Sequence, residues 1–285
     1  MAQIRPIRRI VTGSNQIDGA GVHLVRVIGR GDVEEFDPFL MLDAFDSRNP
    51  KDYVRGFPWH PHRGIETVTY LIEGDIEHGD SLGNQGRIVN GGCQWMTAGG
   101  GILHQEMPQA SPRMLGVQLW LNLPCQDKFA PPEYRDLTED RIPKVREPGI
   151  CVGVIAGHYG RTAGATRGDY VKTTMLDVAL EPGSRFRLPA DPLASLFVYI
   201  VDGAGHFGDD DRPIASRRAI LFGAGDEFAA QTGEKGVRFL LFSARPLREP
   251  VAWGGPIVMN TREELDQAFE EIDNGSFIRE PRTRA

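Results

Sequence analysis

Hydrophobic residues occur along the chain in short runs that are rich in β-branched and aromatic side chains. Three examples are residues 22–27 (VHLVRV), 67–72 (TVTYLI) and 117–121 (VQLWL), and each run is closed by turn-forming residues. Runs of this length and composition predict β-strands. The 34 glycines and 20 prolines interrupt the chain too often for long helices. The pattern therefore predicts a mostly-β protein built from barrels or sandwiches.

One segment near the end of the chain departs from this pattern. Thr261 and Glu264 have the T-x-x-E spacing of a capping box, and Gly275 is placed to end a helix. Between them, apolar side chains recur at helical spacing: Leu265, Ala268, Phe269 and Ile272. The sequence therefore predicts a helix over residues 261–274 that docks on a barrel and exposes its acidic face.

The length of 285 residues favours two domains, because single domains usually contain roughly 100 to 200 residues. Residues 131–149 are rich in proline and charge, and they lose the strand pattern. We therefore predict domains over residues 1–130 and 150–285, joined by this linker, with the helix in the second. A short echo between residues 70–74 (YLIEG) and 199–203 (YIVDG) suggests that the two halves are related.

Composition limits the location and the partners that we expect. The net charge of -7 provides no basic surface for nucleic-acid phosphates, so direct nucleic-acid binding is not expected. The three cysteines, Cys93, Cys125 and Cys151, fit neither a disulfide framework nor a zinc knuckle. We find no signal-peptide pattern and no apolar run long enough for a bilayer. These observations predict a soluble, cytoplasmic protein without a membrane partner; a monomer is favoured, although the sequence does not fix the oligomeric state.

The chemistry of the chain is concentrated in two spaced pairs of residues. His60 and His62 stand at positions i and i+2, as do His104 and Glu106. Alternate side chains of a strand point to the same face, so two paired strands could bring all four groups to one metal ion. Glu66 is a fifth candidate ligand, on the same face as the histidines if the strand continues past Gly64.

The remaining four histidines are interpreted as hydrogen-bonded structural residues, because a lone histidine in a barrel is more often structural than a ligand: His23, His78, His158 and His206. An imidazole-rich set with a carboxylate suits iron, nickel, copper, zinc or manganese, and spacing alone does not choose among them.

Two longer motifs resemble the pirin family of proteins. They are residues 56–70 (GFPWHPHRGIETVTY) and 94–107 (QWMTAGGGILHQEM), which contain the two ligand pairs. Further resemblance lies at residues 37–43 (DPFLMLD) and 255–261 (GPIVMNT), so the likeness covers nearly the whole chain.

The resemblance implies a bicupin fold, with two facing antiparallel β-barrel (jelly-roll) domains and a short C-terminal helix. It also implies that His60, His62, His104 and Glu106 bind Fe(II) in the first barrel, with Ni, Cu, Zn, Mn or Co as alternative metals. Cupins in general often use a glutamate at the place of Glu66. We therefore rank Glu66 as a residue supporting the ligands or as an alternative ligand, and Gln105 as a second supporting residue.

The second half lacks the corresponding ligands. Aligning Tyr199 on Tyr70 places Pro189, Asp191 and Ser195 where His60, His62 and Glu66 stand in the first half. We therefore predict that the second barrel holds no metal and has a structural or binding role.

Members of the family that the chain resembles include flavonol-cleaving enzymes, which open the central ring of quercetin with O2 and release carbon monoxide. The expected function is thus a quercetin 2,3-dioxygenase-like oxidoreductase acting on a small aromatic substrate. Glu106 would be its catalytic residue, accepting the proton of the flavonol 3-hydroxyl. Phe57, Trp59 and Met96 are candidates for the substrate pocket, although such side chains more often form the core. The alternative is a non-enzymatic, iron-dependent, redox-sensitive regulator that acts through a protein partner.

Overall fold

A computed structural model describes residues 2–278, and β-strands dominate it. In the first half of the chain the elements are β1 (Ile7–Thr12), β2 (Ser14–Asp18), β3 (Val22–Ile28), the one-turn helix α1 (Val33–Phe36), β4 (Phe39–Ser47), β5 (Phe57–His62), β6 (Ile65–Glu73), β7 (Asp75–Asp80), β8 (Gln85–Val89), β9 (Cys93–Thr97), β10 (Ile102–Pro108), β11 (Met114–Asn122) and β12 (Glu133–Leu137).

The second half continues with more strands and one longer helix. These elements are β13 (Lys144–Glu147), β14 (Ile150–Ala156), β15 (His158–Tyr159), β16 (Thr162–Ala163), β17 (Thr174–Leu180), β18 (Arg185–Pro189), β19 (Ser195–Phe207), β20 (Ile214–Ala215), β21 (Arg218–Phe222), β22 (Glu227–Gln231), β23 (Val237–Ala244), β24 (Ala252–Gly254), β25 (Ile257–Met259) and α2 (Arg262–Asp273).

The chain forms two compact units, each assembled from separated stretches of sequence. The first unit contains residues 15–33, 39–139 and those from 247 onward, and the second contains residues 1–14, 34–38 and 140–246. The units therefore differ from the continuous domains 1–130 and 150–285 that we predicted. The change of unit between residues 139 and 140 falls inside the predicted linker. The linker itself contains two strands, β12, which pairs with β9, and β13, which pairs with β14.

The first unit contains a seven-stranded sheet and a four-stranded sheet. The larger sheet has the order β12-β9-β6-β11-β4-β3-β2, and the smaller has the order β5-β10-β7-β8. The buried apolar clusters of this unit include one around Tyr53 and Leu71, one around Ile65 and Trp120, and a smaller one around Ile257. The buried polar side chains of this unit, such as His62, His104 and Glu106, are therefore exceptions in an apolar interior.

The second unit is built on a ten-stranded sheet whose main path is β1-β21-β19-β23-β17-β14-β13. Its core is continuous and strongly aromatic, with five buried phenylalanines among its described members: Phe186, Phe207, Phe222, Phe228 and Phe239. Edge-to-face contacts join several of these rings, for example Phe207 and Phe239 at 5.4 Å between centroids.

The predicted helix near the end of the chain is present as α2. Thr261 accepts a hydrogen bond from the Glu264 amide while the Glu264 side chain accepts one from the Thr261 amide, so the capping box is formed. Leu265 and Ala268 are buried against Ile257. The helix thus belongs to the first unit, whereas we had placed it in the second domain. Among the residues that the structure describes, no helix is long and apolar enough to cross a membrane.

Candidate metal centre

The two predicted ligand pairs lie on the neighbouring antiparallel strands β5 and β10. His60 is the register partner of His104, and His62 is the partner of Ile102. The register shifts between His104 and Glu106, where Glu106 pairs with Phe57. Pairing of the two strands therefore brings the three histidines together, as the alternation of side chains predicts.

The three imidazole rings form a compact group. One ligand atom from each of His60, His62 and His104 lies within 4.8 Å of the others. The centroids of His60 and His104 are 4.3 Å apart, and the Nε2 atoms of His60 and His62 are separated by 3.1 Å. Distances of this size allow one cation to contact all three rings.

The other ring nitrogens of two histidines are held by backbone carbonyls. His60 Nδ1 donates to the Pro58 carbonyl at 2.9 Å, and His62 Nδ1 donates to the Pro256 carbonyl at 3.0 Å. Donation from Nδ1 leaves the Nε2 lone pair of each neutral ring available as a metal ligand. Two such lone pairs at 3.1 Å repel each other unless a cation lies between them.

His104 is the clearest sign that the group fits a cation. Its side chain is buried, and neither ring nitrogen has a hydrogen-bond partner among the described residues. Buried polar atoms are nearly always paired, so this exception calls for a missing group. Burial lowers the pKa of His104 well below its usual value, and the neighbouring His62 and His60 lower it further. Burial, with a smaller effect of His60, also lowers the pKa of His62 to about 3. Both rings are therefore neutral at physiological pH, which is the form that binds metals.

Glu106 is buried beside this group and is held from two other strands. Its Oε1 accepts hydrogen bonds from Thr69 Oγ1 and Gln118 Nε2, each at 3.0 Å, and its Oε2 accepts one from Gln118 Nε2 at 2.8 Å. Among the described residues, the set within 4.8 Å comprises the three histidines and not this carboxylate. The role of Glu106 as a ligand therefore stays a prediction, supported by its position two residues after His104 on the same face of β10.

Glu66 does not occupy the position that strand alternation predicted for it. Gly64 has a φ of +77°, and β5 and β6 on either side of it belong to different sheets. Glu66 lies on the face of β6 opposite to Thr69, whose hydroxyl reaches Glu106. Its Oε1 instead accepts a hydrogen bond from Thr97 at 2.7 Å. The expected common face with the histidines was wrong because the strand does not continue.

Two further predicted residues lie on the outer face of the small sheet. Gln105 alternates with His104 and Glu106, and with the exposed Trp59 it lines a cavity of about 380 Å³ beside Gly79. Neither side chain is therefore directed to the three histidines. Gln105 is not placed to support the ligands, and Trp59 is not placed in a pocket on their side of the sheet.

The other two residues considered for the substrate pocket are part of the packed interior. Phe57 packs against the cluster that contains Tyr53. Met96 is fully buried in the cluster that contains Trp120, and the Trp120 ring meets His62 edge to face at 4.9 Å. Met96 thus belongs to the same cluster as the ring that contacts His62.

The histidines interpreted as structural include one with a clear set of partners. His78 is buried, hydrogen-bonds to Tyr134 and lies 3.3 Å from Asp136. In the second unit, Asp191 pairs with Arg245 at 2.6 Å, and Ser195 donates to the Asp37 carbonyl at 2.6 Å. These side chains therefore take part in local structure.

The sequence analysis missed three residues that surround the ligands: Thr69, Gln118 and Trp120. A signal for two of them was present, because Gln118 and Trp120 are alternate residues in an otherwise aliphatic strand. A glutamine that faces the interior of such a strand needs a polar partner, and here that partner is Glu106.

The fold and the site define the class of the protein as a two-domain cupin with a group of three histidines in one domain that fits a metal ion. The chain matches the pirin family over residues 21–121 and the pirin C-terminal cupin domain over residues 175–278. It belongs to the pirin family.

Similar proteins come from bacteria and animals. A pirin-like protein of Caulobacter vibrioides is 43% identical over 277 residues, covering 96% of this chain and 99% of that protein. A Pseudomonas aeruginosa protein that is provisionally named a quercetin 2,3-dioxygenase is 43% identical over 289 residues, with 96% and 99% covered. Human pirin is 38% identical over 280 residues, with 96% and 94% covered.

A solved structure shows the same fold. The crystal structure of a quercetin 2,3-dioxygenase from Acinetobacter baumannii matches with a TM-score of 0.87 and 30% identity, covering 96% of this chain and 98% of that one. The predicted mostly-β architecture with two cupin-type domains and a short C-terminal helix is confirmed.

Proposed function

We propose that the protein is a metal-dependent dioxygenase that cleaves flavonol-type aromatic substrates with O2, as quercetin 2,3-dioxygenases do. The proposal is supported by relatives and a solved structure that carry this name. The observation that carries it is the convergence of three imidazoles, with the buried and hydrogen-bonded carboxylate of Glu106 two residues after His104 on the same strand. Such a set suits a redox-capable divalent ion and leaves positions open for reactants.

Iron is the metal that we propose for this centre. Three histidine nitrogens with a carboxylate oxygen match the donors of non-haem iron sites, and the same donors accept nickel, copper, zinc, manganese or cobalt. His60, His62 and His104 would hold the ion, and Glu106 would complete the set. When bound, the metal would polarise an oxygen of the substrate and supply the redox chemistry that dioxygen requires.

The chain itself would bind the substrate proton and fix the geometry. Glu106 is buried two residues after His104, on the same face of β10, so it would accept the proton of a flavonol hydroxyl. Thr69 and Gln118 would hold the carboxylate in one orientation during this transfer. The Trp120 ring against His62 would exclude water from one side of the centre.

The deciding experiment is anaerobic reconstitution with Fe(II), followed by metal analysis and quercetin turnover under oxygen. We expect one iron per chain, loss of the quercetin absorbance and release of carbon monoxide. Glu106→Gln should lower the rate by about 100-fold or more, since a positioned base typically contributes that much. Gln105→Ala is the matched control, because that side chain lies on the opposite face of the same strand.

Two other outcomes would change the conclusion. Iron binding without turnover in any variant would reject the dioxygenase and favour a metal-dependent regulator that acts on a protein partner. Full turnover by Glu106→Gln would reject the role of the carboxylate as the base.

A further inference from the structure

The stretch of chain around Pro256 runs beside the end of the ligand strand β5. His62 Nδ1 donates to the Pro256 carbonyl at 3.0 Å, and the Val258 amide donates to the Arg63 carbonyl at 3.1 Å. Arg63 and Ile257 form a parallel β-bridge between these two bonds. A ligand and its neighbour are thus paired with a segment that lies almost 200 residues later in the chain.

A buried lysine forms hydrogen bonds to both of these stretches, the end of β5 and the segment after Pro256. Lys128 Nζ donates to the carbonyls of Gly64 and Val258 at 2.8 and 2.9 Å, and to Asn122 Oδ1 at 2.6 Å. The two backbones approach so closely that a Cβ on Gly64 would lie 1.9 Å from the Val258 oxygen. The three donors of the ammonium therefore meet three acceptors, and the Lys128 side chain is buried.

The buried Arg63 side chain extends this connection to helix α2 and to the second ligand strand. Its Nε donates to the Gly100 carbonyl at 2.7 Å, just before the strand that carries His104. Its Nη2 donates to Glu271 Oε2 at 2.7 Å and to the Phe277 carbonyl at 2.9 Å. The guanidinium also lies 4.2 Å from the Phe277 ring centroid. One side chain thus joins both ligand strands to the C-terminal segment.

We propose that metal binding by the three histidines and docking of the C-terminal segment, residues 256–277, are thermodynamically coupled. The inference rests on the proposed metal site. Arg63 and Glu271 are positioning residues in this coupling. Undocking removes the carbonyl that orients His62, and a bound ion fixes the strand end that holds the segment. Coupling of this kind is reciprocal, so each event strengthens the other. The fraction of molecules in which α2 is docked therefore depends on whether the metal site is filled.

Hydrogen exchange followed by mass spectrometry tests the coupling in the full chain. Backbone amides of α2 are compared in metal-free protein and in protein loaded with Fe(II) under anaerobic conditions. We expect exchange in α2 to slow by about five-fold or more on loading, the lower end of typical coupling. His62→Ala should abolish this difference.

Iron content is measured in the same samples, and no turnover is required. Absence of iron from the wild type would reject the metal site itself. Equal exchange rates in iron-loaded and iron-free protein would reject only the coupling.

A matched pair of variants on the same helix separates positioning from general stability. Glu271→Gln removes the negative charge opposite Arg63, whereas Asp266→Asn makes the same charge change at an exposed pair with Arg262. In competition with a chelator, Glu271→Gln should weaken Fe(II) binding by about five-fold and Asp266→Asn should not change it.

Arg63→Lys provides a second measurement. It keeps the charge but lacks the planar fork that serves three acceptors, so it should weaken binding in the same direction. Unchanged iron affinity in both Glu271→Gln and Arg63→Lys, with a lowered thermal midpoint, would show that the contacts only stabilise the fold.

Discussion

The orientation of Glu106 is set by residues on other strands. Gln118 on β11 and Thr69 on β6 hold both oxygens of the carboxylate, although Glu106 itself belongs to β10 in the other sheet. Partners of this kind tune a catalytic carboxylate because they fix its direction and its basicity. A change at Gln118 should therefore affect the chemistry without removing a ligand.

Gln118→Leu should lower quercetin turnover by about ten-fold while iron content stays at one per chain. The reason is that supporting partners of metal-site residues typically contribute factors of 10 to 100. Initial rates at saturating Fe(II) measure the effect, with Gln105→Leu as the control on the outer face. A variant with the full wild-type rate would exclude a positioning role for the amide.

His62→Ala should abolish stoichiometric metal binding and leave the far-ultraviolet circular dichroism of the strands nearly unchanged. The side chain supplies a ligand, whereas the backbone pairing of β5 with β10 does not depend on it. Asp191→Ala, at the equivalent place in the second half, should retain the metal. Metal analysis after dialysis decides the question, and full occupancy in the His62 variant would overturn the ligand assignment.

At the residue scale, side-chain alternation correctly predicted which residues of one strand share a face. It failed for residues on either side of the point where a strand ends. His60 and His62 share β5, so their common face was readable from spacing alone. Glu66 lies beyond Gly64, whose positive φ starts a strand in another sheet, and its face could not be deduced. The contact of His62 with Pro256 is tertiary and left no local signal.

At the scale of elements, the junction between β5 and β6 depends on the absence of a side chain at Gly64. A Cβ there would lie 1.9 Å from the Val258 oxygen, at a backbone φ of +77°. Gly160 has a similar φ of +56° but no neighbouring atom within 4 Å. Substitutions at the two glycines therefore distinguish the cost of a positive φ, which both share, from the cost of a steric clash, which only Gly64 has.

Gly160→Ala should cost about 1 kcal/mol of unfolding free energy, because only the left-handed backbone is penalised. Gly64→Ala should cost clearly more, about 3 kcal/mol or above, because β25 must also move away. Urea titrations of both variants measure the difference. Equal losses would mean that the segment beside Gly64 shifts freely.

The helix α2 shows which part of an element is local. Its capping box was readable because the bonds between Thr261 and Glu264 form within one turn. Its docking place was not, since the apolar side chains at Leu265 and Ala268 would suit the surface of either unit. The buried Arg63, far away in sequence, supplies the specific partner through Glu271.

At the scale of the whole molecule, the two units do not need a metal to bury their apolar residues. In the first unit, the cluster around Tyr53 does not include the residues that contact the histidines, and the cluster around Ile65 meets them through Trp120. The second unit has a continuous aromatic core. Units of this size bury enough apolar surface to fold by themselves. A bound metal would therefore add binding energy to an existing fold.

Chelation should leave the far-ultraviolet spectrum unchanged and lower the thermal midpoint of the first unit. At a free metal concentration 100-fold above the dissociation constant, linkage corresponds to about 2.7 kcal/mol, or roughly 5–10 °C for a unit of this size. Differential scanning calorimetry with and without Fe(II) measures the shift. Loss of the β spectrum on chelation would instead identify the metal as a structural requirement.

Because each unit is assembled from separated stretches of sequence, the order of synthesis limits when the first unit can fold. Residues from 247 onward complete the first unit, yet they are synthesised after the whole of residues 140–246. Domains generally fold in turn as a growing chain leaves the ribosome. Most of the first unit is synthesised before residue 140, but the unit is complete only once residues from 247 onward are added, and the Pro256 carbonyl that orients His62 is among them. A nascent chain halted after residue 246 carries all four proposed ligands but lacks the carbonyl that orients His62, so we expect metal loading to follow translation.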